Sequence, residues 1–154
     1  MQIELSKNEF KTLLELVYLG EWVANGYRLA DEHLTPYVRL EERLLRLAAR
    51  AGLDALVELE ERGDVYPAEA FTEPLYDLIE AYDNNTFWEE LPLRLADRDL
   101  LERHGSTALE AMSEEERFTR LSSAADRYEE ELERFGVERL RIVESPEGQG
   151  IHNA

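Results

Sequence analysis

Eleven consecutive residues near the start of the chain, 13–23 (LLELVYLGEWV), contain two charged side chains, Glu15 and Glu21. A helix that is apolar on nearly every side must be covered by several neighbours, so this stretch restricts the chain to folds built around an N-terminal helix. Its start is marked: Ser6 and Glu9 form a capping box, in which hydroxyl and carboxylate each accept from an otherwise unpaired amide of the first turn. Asn25-Gly26 tolerates left-handed backbone and is expected to end it. Projection at 100° per residue places Glu21 in the middle of the face made by Phe10, Leu14 and Val17, with Asn25 continuing the stripe. A carboxylate on such a face needs a partner or gives up its charge. Glu21 is therefore read either as half of a structural ion pair, the commoner arrangement, or as a reactive or ligand-binding group.

Thr35 followed by Pro36 opens a second helix running to Gly52. Tyr37, Leu40, Leu44, Leu47 and Ala51 follow a 3-4 spacing and are expected to form a narrow buried seam. Arg39, Arg43, Arg46 and Arg50 share the other side, a positive stripe in an acidic chain. Such arginines pair with glutamates in the molecule or across a dimer more often than they hold an anion or an acidic partner. A short third helix is expected over 54–63 and a fourth over 72–83, with Leu75, Leu78, Ile79 and Tyr82 facing inward. The DNNT segment, 83–86, reads as a turn, and Thr86 with Glu89 as a capping box for a helix to Gly105 that Pro92 should kink or split. Glu90, Arg94, Arg98 and Glu102 fall four apart on that helix, which makes Arg98 or Arg94 the expected partner of Glu21.

Ser113 with Glu116 opens a long final helix to Gly136. Its apolar stripe is Phe118, Leu121, Ala125, Tyr128, Leu132 and Phe135, and its back carries Glu129, Glu130, Glu131 and Glu133. This stripe and the seam of the second helix share a period, which suits packing against each other or self-association. Alternation of Met1, Ile3 and Leu5 with polar residues, and of Leu140 and Ile142 with arginines, predicts a two-stranded antiparallel ribbon joining the termini. The expected fold is mainly α, at the margin of α+β: a single-domain bundle of five or six helices around the central N-terminal helix over 1–143, with a flexible tail over 144–154.

Composition narrows function more by exclusion than by assignment. The chain carries 35 acidic and 17 basic residues, a formal net charge of -18, which repels phosphate backbones and argues against nucleic acid. Fifteen of the cations are arginines, suited to planar pairing with carboxylates. There is no apolar run long enough for a membrane span, and the acidic opening MQIEL differs from an export signal, so a cytoplasmic protein is expected. With no cysteine, disulfides, thiolate metal sites and cysteine nucleophiles are excluded. None of His33, His104 and His152 stands three residues after a glutamate, and no glycine-rich phosphate loop, nucleophile elbow or His-Glu-x-x-His is present. His104, just before Gly105, suits a helix C-terminus.

The segment 82–99, YDNNTFWEELPLRLADRD, resembles small bacterial proteins with no assigned activity; the resemblance implies no chemistry and no site. Glu58 with Glu61, and Glu80 with Asp83, form two acid-x-x-acid pairs expected on neighbouring helices. The four acids are similar to the arrangement in all-α nucleotide pyrophosphohydrolases of the MazG type, which implies magnesium-dependent phosphate-ester hydrolysis. The chain departs from that pattern at Val57, where an acid is expected, and about eight such pairs arise by chance in so acidic a chain. The favoured reading is a non-catalytic interaction or regulatory module without a cofactor, meeting a protein or a second copy through Arg39, Arg43, Arg46 and Arg50 or through the final helix. The alternative is the magnesium enzyme using Glu58, Glu61, Glu80 and Asp83.

Overall fold

The computed structural model describes residues 2–143 and has five α-helices and one two-stranded antiparallel sheet. In chain order these are α1 (Lys7–Asn25), α2 (Thr35–Arg50), β1 (Val57–Leu59), β2 (Val65–Pro67), α3 (Glu69–His104), α4 (Ser106–Ala111) and α5 (Glu114–Phe135), with short 3-10 turns at Ala30–Glu32 and Asp54–Leu56. The backbone divides into two compact units, Met1–Asn84 and Asn85–Ala154. Residues 69–84 of α3 belong to the first and 85–104 to the second. The tail expected from 144 onward lies outside the described residues.

The first unit is built by α1, α2, the hairpin and the start of α3. The capping box is formed in full: the Ser6 hydroxyl accepts from the Glu9 amide at 3.3 Å, and the Glu9 carboxylate accepts from the Ser6 amide at 2.8 Å. The Ser6 hydroxyl, donating to the Glu9 carboxylate at 2.7 Å, and then the Ser6 amide hold that carboxyl below its usual range. Leu14 and Leu45, with Ala48, Val57, Val65, Phe71 and Leu75, form the core, and Phe10, Tyr18, Leu19 and Leu44 pack around it. Each fully buried leucine contributes roughly 1.5–3 kcal/mol. α1 is one wall of this core and not a hub covered on every side, because Leu13, Leu16 and Val23 reach the surface. It ends as expected after Asn25, although Gly26 keeps a right-handed φ of -58°.

Four other expectations are corrected. Residues 54–63 do not form a helix: the chain makes one 3-10 turn and then enters β1, paired to β2 with Glu58 opposite Tyr66. Val57, Val65 and Tyr66 are strand-forming residues, and Gly63, at φ +87°, supplies the turn. The ribbon expected at the termini is therefore this local hairpin, since residues 2–6 and 140–143 are not in strands. A loop this short closes at little entropic cost, whereas pairing the ends must close nearly the whole chain. Third, the seam of α2 is turned by one residue position, about 100°: Leu45 and Ala48 are buried, while Tyr37, Leu40 and Leu47 are 48%, 47% and 40% exposed. α2 ends in a Schellman arrangement, with Gly52 at φ +72° and the Leu53 amide donating to Ala48 O at 3.0 Å.

Fourth, α3 runs without a break through the DNNT segment and Pro92. The Asn85 side-chain amide donates to Glu89 Oε1 at 3.0 Å, one turn ahead, so a residue suited to a turn is held in the helix. In the second unit the expected cap of α5 forms by half: the Ser113 hydroxyl accepts from the Glu116 amide at 3.1 Å, while the Glu116 carboxylate pairs with Arg120 at 2.8 Å. Residues 85–104 of α3 and α5 run antiparallel, as Trp88 and Leu132 line one cleft, Asp99 meets Tyr128, and His104 lies 3.4 Å from Arg120. Of the predicted α5 stripe, Ala125 and Leu132 are buried and Phe118 is exposed.

Candidate functional site

Three places on the molecule gather chemistry. In the first unit, Val38, Glu41, Leu45 and Ala48 fall on the inward row of α2, so Glu41 is carried toward α1 by the same periodicity that buries Leu45. Burial, then the neighbouring carboxylates Glu21 and Glu42, push the Glu41 carboxyl up to about 7. Tyr18 is raised as well, first by burial and then by Tyr76, Glu41 and Glu21. Its ring meets Phe71 and Tyr76 edge-on, at centroid separations of 6.0 and 6.4 Å. Glu21 is half-buried and accepts from the Asn25 side chain at 2.8 Å, and Asn25 in turn accepts from the Leu34 amide at 2.7 Å. The carboxyl that the fold raises is thus Glu41, which the sequence reading passed over. Its signal was its place in the row of Val38, Leu45 and Ala48.

This displacement has a definite sign. The folded state holds a proton on Glu41 up to about pH 7, whereas the unfolded chain releases it near 4.5. The stabilising contribution is therefore complete below pH 4.5 and is lost as pH rises through about 7. Solvent screening at a half-buried site reduces it to the order of 1–2 kcal/mol. Glu41→Gln, which cannot ionise, is expected to raise the urea midpoint at pH 8 relative to wild type and to leave it nearly unchanged at pH 4. Parallel pH profiles for the two proteins would show that Glu41 is not the titrating group.

The second place is the outer side of α2. Arg43, Arg46, Leu47 and Arg50 line an open depression of about 300 Å³. Arg46 pairs with Glu42 at 3.3 Å, and among the described residues Arg39, Arg43 and Arg50 make no ion pair. All four expected arginines thus lie on one helix, and three of them, with the exposed Tyr37, Leu40 and Leu47, face outward.

The third lies in the second unit, where Asn85, Trp88, Glu89 and Pro92 of α3 and Glu129, Leu132 and Glu133 of α5 line a cleft of about 560 Å³. Pro92 and Leu132 give it an apolar floor, and three carboxylates stand around it. Elsewhere in this unit Arg98 donates to Asp99 at 2.7 Å and to the Tyr128 hydroxyl at 3.0 Å, while Tyr128 donates to Asp99 at 2.5 Å. Hydrogen bonds from Tyr128 and then Arg98 hold the Asp99 carboxyl below its usual range. Arg94 pairs with Glu90 at 3.3 Å. The residues nominated for a buried ion pair, Glu21, Arg94 and Arg98, thus each have a partner on their own unit.

The four acids of the hydrolase reading are not assembled as that reading requires. Glu58 lies on β1 and Glu61 in the turn after it, so they share no helix face, while Glu80 and Asp83 lie on α3. Among the described residues no three histidine, aspartate or glutamate side chains gather closely enough to hold a metal ion. Among the same residues no helix is long and apolar enough to cross a membrane. Comparison with protein-family models, with curated proteins and with solved structures finds no match to this chain, so the functional reading rests on its own geometry.

Proposed function

We propose that the protein is a non-catalytic interaction module that binds an acidic, amphipathic protein segment along the outer side of α2. The observation that supports this reading is a single helix carrying exposed Tyr37, Leu40 and Leu47 beside Arg43 and Arg50, which make no ion pair among the described residues. Apolar side chains left outside cost free energy unless something covers them, and tyrosine and arginine are the residue types that carry binding energy at interfaces. Carboxylates of the partner meet guanidinium groups in bidentate pairs, and its apolar row covers Tyr37, Leu40 and Leu47. The chain's own charge of -18 repels an acidic partner at long range, but physiological salt screens beyond about 8 Å, so the contact decides the outcome.

The test is fluorescence anisotropy with a labelled amphipathic peptide bearing glutamates on one face and leucines on the other. Arg43→Glu with Arg46→Glu is expected to weaken its binding at least about tenfold, and Leu47→Ala by a smaller factor. Equal affinity for the charge-reversed protein, with its circular dichroism intact, would remove the reading.

A further inference from the structure

Resting on that reading, we infer that the partner is a second copy of this chain, and that the α2 face of one copy seats in the acidic cleft of another. The two surfaces are complementary in layout. On α2, Leu47 stands among Arg43, Arg46 and Arg50 around a shallow depression. In the cleft, Trp88, Pro92 and Leu132 are apolar and Glu89, Glu129 and Glu133 stand around them. A leucine ringed by three cations thus faces an apolar floor ringed by three anions.

The pairing state of the charges points the same way. Arg43 and Arg50 on one surface, and Glu129 and Glu133 on the other, make no ion pair among the described residues. Glu129 and Glu133 are four apart on α5, and Arg46 and Arg50 four apart on α2, so both rows repeat at one helical turn. Two helices laid along each other can therefore match carboxylates to guanidinium groups in register. The volume of the cleft, about 560 Å³, is in the range that admits a leucine together with guanidinium groups. Because the two patches differ, the contact is heterologous: it closes into a ring or pair where the rotation permits and otherwise adds copies end to end.

Sedimentation of the full chain over a range of concentrations tests this. Wild type is expected to associate, and Arg43→Glu with Arg50→Glu, or Glu129→Arg with Glu133→Arg, to raise the dissociation constant at least about tenfold. Mixing the two charge-reversed proteins is expected to restore association, because the native arginine face of one meets the native cleft of the other. The protein carrying all four substitutions should associate with itself again. Glu129→Gln with Glu133→Gln, a milder change, should weaken association without reversing it. In a Trp22→Phe background, Trp88 emission should change with concentration over the same range. Monomeric wild type at every concentration overturns the inference, as does association that survives either charge reversal or a mixture that fails to restore it. If wild type is monomeric and the acidic peptide still binds through α2, the second copy is excluded as partner and the interaction reading stands. If neither binds, both fall.

Discussion

Leu14→Ala is expected to destabilise the first unit by about 2–5 kcal/mol, the range for removing a buried leucine and leaving a cavity. Leu14 is 0% exposed and lies in one cluster with Leu45, Ala48, Val57, Val65, Phe71 and Leu75. The cavity would open where two helices, the hairpin and the start of α3 converge, so no single element can move to fill it without disturbing the others. Leu16, two residues along the same helix and 62% exposed, is the control: Leu16→Ala should change stability by no more than about 0.5 kcal/mol. Urea unfolding followed by Trp22 emission in a Trp88→Phe background reads the first unit by itself. Similar losses for the two alanine variants would contradict the assignment of Leu14 to the core.

Asn25→Leu is expected to cost about 3 kcal/mol although it exchanges a polar for an apolar side chain in a buried position. Asn25 is 2% exposed, and it satisfies two groups at once, donating to Glu21 and accepting from the Leu34 amide. Leucine leaves that amide without its acceptor at the entry to α2 and deprives the Glu21 carboxylate of its donor. Asn25→Asp separates the two roles. It keeps an acceptor for Leu34 but places a carboxylate against Glu21, so its loss of stability should be large at neutral pH and recover on acidification. A pH-independent loss for Asn25→Asp, or a negligible one for Asn25→Leu, would show that the Asn25 hydrogen bonds do not hold the α1 to α2 connection.

Glu21 and Glu41 together show how far one-dimensional reading reaches. Glu21 stood out because it interrupts a long apolar run, and a carboxylate there had to find a donor. Within the first unit a donor is Asn25, one turn away on the same helix. Glu41 did not stand out, because α2 carries two apolar rows one residue apart and either could have been the buried one. Once the row of Leu45 and Ala48 turns inward, Glu41 goes with it and Tyr37, Leu40 and Leu47 are left outside.

Several local signals are realised, namely the start of α1 at Ser6, the proline-led start of α2, the cap of α5 at Ser113, and the helix ends at Gly52, Gly105 and Gly136, whereas the helix start at Thr86 and the helix end at Gly63 are not. Caps and the 3.6-residue period act over a few neighbouring residues and are written where they act. Tertiary packing decided much of the rest. It selected a hairpin over a helix at 54–63, because Val57 and Val65 complete the core against Leu14 and Leu45. α3 also continues through Asn84, Asn85 and Pro92, where the chain around the two asparagines is largely exposed and the Asn85 side chain bonds Glu89 one turn ahead. Tertiary packing also determined which side of α2 faces water, and with that the surface through which the protein is proposed to meet its partner.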